Sequence, residues 1–408
     1  MSPTLKRILL ILGLLIATIL IGLGLYLAFK KAQIPSAPAR PTPTGAGGRL
    51  PAAGGREAPG DEGQPVPTGG LPAAGVTAPP VTPPGYYQPE PVTKITNDQT
   101  LYPSVNTSGN FRYHNAADGK FYEVKDGTAT PLADQVFYNV KNVTWAKSKD
   151  KAVIEYPDNS KIVYNFETKK QVSLPKHWES FSFSNDGNEI AAKSIGLAPE
   201  NRWLVTTRDD GTGAKLIEPL GNNEDKVIVD WSPSRQTVAF SKTGDPLGAD
   251  RREILLIGLN HENFKGLVVE GLDFQPRWSP TGQQLLYSVD SARSNFKPEL
   301  WIANSYGDAI GNNRQALGIN TWANKCAFGG EGTLFCAVPR NLPDGAGMSP
   351  AVAADEFDDL YKIDLKTGAK TPVTLDTNYT FDSISYDASK NKVLFTDRHK
   401  NGAFQVNL

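Results

Sequence analysis

The chain has 408 residues, and its 42 lysines and arginines are balanced by 43 aspartates and glutamates. That balance argues against a nucleic-acid binder, which needs a basic excess to displace counterions from phosphates. Two cysteines, Cys326 and Cys336, exclude a cysteine-only structural zinc site and a disulfide-dense small scaffold.

Residues 1–7 form a short tail ending in Lys6 and Arg7. An uncharged apolar run then extends from Ile8 to Phe29 and is followed by Lys30 and Lys31. About 22 residues at ~1.5 Å each span ~33 Å as a helix, the thickness of a bilayer core, so 8–29 is predicted to be a single transmembrane helix. The alternative is a cleaved signal peptide ending near Ala37-Pro38-Ala39. Against it, the apolar run exceeds a signal core and two lysines intervene before that site. Flanking charge does not set the orientation. Long domains translocate largely regardless of it, so the remainder of the chain is expected on the extracytoplasmic side. Residues 30–89 are dominated by Pro, Gly, Ala and Thr, as in Pro41-Thr42-Pro43-Thr44. Such a segment buries too little apolar surface to offset its ordering entropy and is predicted to be a disordered, partly polyproline-like tether.

From residue 90 to 408 the chain reads as repeats. Trp278-Ser279-Pro280-Thr281-Gly282 leads into Gln284-Leu285-Leu286-Tyr287, a strand ending in an aromatic, a tight turn, and a second apolar strand. Trp231-Ser232-Pro233-Ser234-Arg235 and Phe183-Ser184-Asn185-Asp186-Gly187 repeat it, with weaker copies at 105, 145, 327 and 386. Spacings of roughly 40 to 60 residues, with about four short strands per unit, predict an all-β seven-bladed propeller, with a six-bladed ring as the alternative. The last unit supplies only three strands before Leu408. Pro91-Val92-Thr93-Lys94-Ile95 resembles Pro372-Val373-Thr374, a fourth strand, and is predicted to complete the last blade.

The Trp/Phe-Ser-Pro/Asn units at 183, 231 and 278 resemble those of TolB-type periplasmic propellers and of propellers attached to prolyl-oligopeptidase-like peptidases. The resemblance covers roughly residues 90–408 at the level of fold. The Trp-Asp and Gly-His dipeptides of true WD repeats are absent. TolB proteins bind partner proteins in the bacterial envelope, so the resemblance implies a protein-binding propeller. A membrane helix and tether stand here in place of the TolB N-terminal α/β domain.

Catalytic motifs are scarce. Asp210-Gly211-Thr212-Gly213-Ala214-Lys215 lacks P-loop spacing, and Gly347-Met348-Ser349-Pro350-Ala351 lacks the final glycine of a nucleophile elbow. His114, His177, His261 and His399 fall in four different units and read as surface or turn residues. Asp355-Glu356-Phe357-Asp358-Asp359 lacks EF-hand spacing and reads as a solvated acidic loop. No metal site, cofactor or catalytic residue is expected. The reading is a monomeric, membrane-anchored scaffold that binds a protein or an anionic envelope polymer. The alternative is a hydrolase or lyase acting on an envelope polymer in the propeller channel.

Long connections between second and third strands are expected in four consecutive units, over 194–202, 242–252, 289–298 and 339–358. They carry the candidate binding residues Arg202, Arg251, Arg252, Arg293, Phe296, Arg340 and Met348. Arginines there would hold carboxylates or phosphates through paired hydrogen bonds, or would be neutralised by neighbouring acids. Cys326 and Cys336 flank the turn 329–332 and either form a cross-strand disulfide or remain two buried thiols.

Overall fold

The computed structural model describes residues 89–408, apart from Asn263, together with Leu20. The expected tail, membrane helix and tether (1–7, 8–29 and 30–89) otherwise lie outside the described residues. Among the described residues no helix is long and apolar enough to cross a membrane.

Residues 92–407 form seven antiparallel sheets of four strands each, a seven-bladed β-propeller. The innermost strands (a) of blades 1 to 7 are Thr100–Val105, Asn142–Trp145, Trp178–Phe183, Val227–Val229, Leu272–Trp278, Cys326–Phe328 and Phe381–Asp387. Strands b, c and d follow outward. The repeat positions read from the sequence fall at or within two residues of the ends of these inner strands.

Burial explains the composition of each strand. Strand b is covered on both faces by the neighbouring blades. It is therefore a continuous apolar run and not an alternating one, as in Gln284–Asp290 (QLLYSVD) and Lys392–Asp397 (KVLFTD). The outermost strands face solvent, and Thr128–Pro131 is exposed throughout. Large aromatics fill the wedges between blades. Phe121 of blade 1 meets Trp145 and Phe166 of blade 2 with ring centroids 5.4 and 5.1 Å apart. Such contacts add to the plain burial of apolar area.

The repeated Ser-Pro-x-Gly unit is a hairpin turn with one geometry. The Ser279 carbonyl accepts from Gly282 N–H, and Ser279 N–H donates to the Gln284 carbonyl. The same pair of bonds occurs at Ser184 with Gly187 and Glu189, and at Ser232 with Arg235 and Thr237. The Ser279 and Ser184 hydroxyls accept from the Gln284 and Glu189 amides at 3.1 and 3.0 Å. The fourth residue of the unit has positive φ, which favours glycine; Arg235 occupies it at φ 65°. Two of the aromatics before a turn also seal a seam. The indole N–H of Trp278 donates to the Asp230 carbonyl, and that of Trp145 to the Tyr102 carbonyl, each in the preceding blade.

The ring closes as the sequence predicts. Val92–Thr96 pairs with Ala403–Asn407, Val92 opposite Val406 and Lys94 opposite Phe404. Val92 packs into the core between blades 6 and 7, and Ile95 into that between blades 7 and 1. Gly402, at φ 103°, leaves room for this strand: a Cβ there would lie 2.1 Å from the Thr96 carbonyl oxygen. A chain shortened to residues 88–408 should therefore unfold at a higher temperature than one shortened to 98–408. The difference should be on the order of 2–4 kcal/mol, from two half-buried apolar side chains, plus the cost of a bare edge. Gly402→Ala should fall between them. Equal melting temperatures for the two fragments would refute this closure.

Cys326 opens strand a of blade 6. It lies directly opposite Cys336 of strand b. Both are fully buried and joined as a disulfide. Protein purified from its host without reductant should carry no alkylatable thiol after denaturation. Reduction should lower stability by roughly 2–3 kcal/mol, as for a short closed loop. Recovery of two free thiols would contradict the pairing.

Candidate functional site

In each blade the b–c loops and the connections to the next blade open at one end of the ring, and the a–b turns at the other. The b–c loops of blades 4 to 6 are long, spanning 242–251, 291–298 and 340–357, whereas that of blade 3, expected over 194–202, spans only 196–201, one residue more than the short loops of blades 1, 2 and 7. Those of blades 3 to 6 are built loops. Three contain short 3-10 turns, Pro199–Asn201, Ala292–Ser294 and Pro350–Ala353. The blade 6 loop has its own small core of Trp322, Ala346 and Ala353. It joins the blade 5 loop through Gly345 N–H to the Asn295 carbonyl and Gly347 N–H to the Phe296 carbonyl.

The candidate arginines are mostly neutralised within the fold. Arg202 bonds Glu224 at 2.7 Å. Arg293 bridges Glu270 and Glu299 at 3.2 and 2.9 Å and lies over the Trp301 ring. Arg340 bonds Asp359 at 2.7 Å and the Asn378 side chain at 2.9 Å. The partners differ from the nearest acids in sequence, because strand pairing brings these others closer. Arg251 and Arg252 make no ion pair among the described residues, and Arg251 is exposed. Phe296 is half-buried beside the blade 6 loop, and Met348 is exposed.

Exposed apolar side chains are what this face concentrates. Leu197, Leu247, Met348, Val352 and Phe357 are all exposed and all lie in the loops of blades 3, 4 and 6. Met348, Val352 and Phe357 share one loop at 54, 55 and 45% exposure. The other large exposed apolar residues of the propeller, Leu101, Tyr138, Leu216 and Tyr306, are scattered.

Two sequence expectations need correction. His114 is buried, with Nε2 3.0 Å from the Phe137 carbonyl and its pKa lowered by burial. The acidic loop is not uniformly solvated. Asp358 is 2% exposed, binds Lys325 at 2.8 Å and accepts the Phe381 N–H, tying blade 6 to blade 7.

Asp290 ends strand b of blade 5. It is 1% exposed, and neither carboxyl oxygen meets a donor among the described residues. Gly347 lies over it: a Cβ there would sit 2.4 Å from the Asp290 Cβ. Burial first, then the nearby charge of Asp273, pushes its pKa up to about 6. The sequence carries no mark of this pair, because only the bulge in strand a of blade 5 brings Asp273 beneath the end of strand b.

The axial channel holds a second unpredicted group. Its a–b end is a cavity of about 580 Å³ to which every blade contributes. The residue just before each blade's terminal aromatic lines it in several blades, as Ser104, Arg277, Ala327 and Ser385. In blade 4 that residue is Asp230, and Lys147 enters from the blade 2 turn. Lys147, Asp230 and Arg277 sense one another's charge without forming an ion pair among the described residues. Loss of hydration lowers the pKa of Lys147 and Arg277 and raises that of Asp230 to about 6, the two cations opposing that rise. Position relative to the Trp-Ser-Pro unit was the available sequence signal for Asp230 and Arg277.

No family model matches the chain, and no curated relative matches it. Among solved structures, an oligogalacturonate lyase from Vibrio parahaemolyticus is 12% identical with a TM-score of 0.52, covering 78% of this chain and 93% of that one. The Cps50 (Swd1) β-propeller domain of Myceliophteria thermophila is 11% identical with a TM-score of 0.50, covering 78% and 99%. TolB from Acinetobacter baumannii is 10% identical with a TM-score of 0.41, covering 66% and 64%. These likenesses concern the β-propeller fold alone.

The Asp290 environment has a pH signature. Its folded pKa is raised, so between about pH 4 and 6 the folded chain holds a proton that the unfolded chain has lost. Stability from this site is present at acid pH and is lost as pH rises through about 6. Asp290→Asn should therefore raise Tm at pH 7.5 and leave it unchanged near pH 4. Thermal unfolding at both values checks this, and equal shifts would contradict it.

Proposed function

We propose that the chain is a membrane-anchored, extracytoplasmic propeller that binds a protein partner through its b–c face and has no catalytic role. The grouping of Met348, Val352 and Phe357 on one braced loop carries this reading, with Leu197 and Leu247 also exposed on the loops of blades 3 and 4 at the same end of the ring. Exposed apolar groups gathered at one end of a rigid scaffold favour a partner that can desolvate them. Neutralisation of Arg202, Arg293 and Arg340 by internal acids weighs against an anionic polymer as the main partner on this face. The anchor rests on the apolar run 8–29, and the tether 30–89 would give the propeller reach from the membrane.

The catalytic alternative, a hydrolase or lyase using the channel, asks for facing carboxylates or histidines on the inner strands. Of the two carboxylates in the channel, Asp387 is bonded within its own hairpin, and no hydrogen bond joins it to Asp230 among the described residues.

Affinity capture with the full chain from solubilised membranes tests the protein-binding reading. A defined protein should be recovered by the unaltered chain and by Leu216→Asp on an outer strand. It should be lost from Val352→Asp/Phe357→Asp, with binding weakened at least about tenfold, as for removal of interface anchors. Capture that survives the double loop variant and is abolished by changes in the a–b turns would place the partner at the other end.

A further inference from the structure

The a–b end of the channel carries chemistry that the loop face does not use. We propose that it is a binding site for a small organic carboxylate with an apolar body, its charge held by Lys147 and Arg277. The site lies at the opposite end of the ring from the long loops and does not depend on the protein-binding reading.

The cavity, at about 580 Å³, is of a size that encloses a small organic molecule. Two cations reach it, and neither is held in an ion pair by the acids near it. Asp230 is in ion-pair contact with neither. Asp387 also borders the cavity, but its carboxylate is turned into its own hairpin, where it accepts from the Ser389 and Lys390 amides and the Ser389 hydroxyl. The formal charges balance, but both cations keep donors free for a ligand. Arg277 is held in position by the neighbouring blades, its guanidinium donating to the Asn324 and Ile384 carbonyls of blades 6 and 7 at 3.1 and 3.4 Å. Three of its five N–H donors remain for a carboxylate. Lys147 is accessible at the cavity wall. Arg277 is partly stripped of hydration, which strengthens its attraction for an anion.

The remaining wall suits an apolar body. Trp278, Phe328 and Tyr386 border the cavity together with prolines of the turns. The turns around it form a braced collar. Thr107 N–H donates to the Lys147 carbonyl, Thr281 N–H to the Glu331 carboxylate, and Arg235 pairs with Asp186 and Glu189. A site built on such contacts is preformed and loses little entropy on binding.

Calorimetric titration of the full chain in detergent, with 3-phenylpropionate and its neutral amide as probes, tests the proposal. The acid should bind saturably, and the amide at least about tenfold more weakly, the worth of a charge-assisted contact. Lys147→Met and Arg277→Gln should each weaken the acid by a similar factor, whereas Asp230→Asn should strengthen it. Lys147→Met removes only a side chain at the wall and leaves the Thr107 bond to its carbonyl, so it stands if Arg277→Gln loosens the ring. Val352→Asp/Phe357→Asp should bind the acid as the unaltered chain does. Equal affinity for acid and amide, an unchanged Lys147→Met variant of native circular dichroism, or no saturable binding of the acid at millimolar concentration would overturn the proposal.

Discussion

The antiparallel ladder between Val92–Thr96 and Ala403–Asn407 is the contact on which the ring depends. Every other blade is made of one continuous stretch of chain and can pair its strands locally. Blade 7 alone needs a strand more than 300 residues away in sequence, so its completion waits for the whole ring. Without that strand, Ala403–Asn407 would become a bare edge and Val92 and Ile95 would leave the cores on either side of blade 7. The required geometry is narrow, as Gly402 shows. The closing strand's Thr96 carbonyl passes where any larger residue would place its Cβ.

The two ends of the ring are built differently. At the a–b end, short turns of identical geometry lock onto one another across the seams, through Gly282 against Ser232, Gly109 against Asp387 and Thr107 against Lys147. At the b–c end, long loops of blades 5 and 6 brace each other above Asp290 and hold apolar side chains outward. The first end offers a preformed cavity and the second an extended contact surface. Both rest on the same buried b strands, which keep the blades at fixed angles because each is covered on two faces.

Much of this was legible in the sequence, for physical reasons. The Trp-Ser-Pro units mark the ends of inner strands because an indole at that place seals a seam and a serine at the next caps a turn. The closing strand was visible because it had to resemble the fourth strand it replaces. Long loops were visible as gaps between apolar runs. The fate of the loop arginines was not, because Arg202 meets Glu224 and Arg293 meets Glu270 only across strand pairings and blade seams. His114 looked like a surface residue because strand b of blade 1 is short and polar, but a second strand is buried on both faces whatever its composition. The Asp273–Asp290 pair depends on a bulge, and periodicity alone does not locate bulges.

The axial position just before each terminal aromatic brings these threads together. Seven inner strands converge on the axis, and five blades place small or hydroxylated residues there: Ser104, Thr144, Ser182, Ala327 and Ser385. Such side chains fill a crowded axis without charge to desolvate. Blades 4 and 5 depart from this with Asp230 and Arg277, and Lys147 takes the place of the turn proline in blade 2. Holding Asp230 and Arg277 half-buried at the axis without direct ion pairs costs stability, and replacing them with neutral groups of similar volume would be neutral or stabilising to a fold. The ring does not need them to close, since its seams are held by indole hydrogen bonds, packed aromatics and the outer strand of blade 7. Charges that the architecture does not require, gathered in three blades around one cavity, are better explained by what the cavity holds than by how the propeller folds.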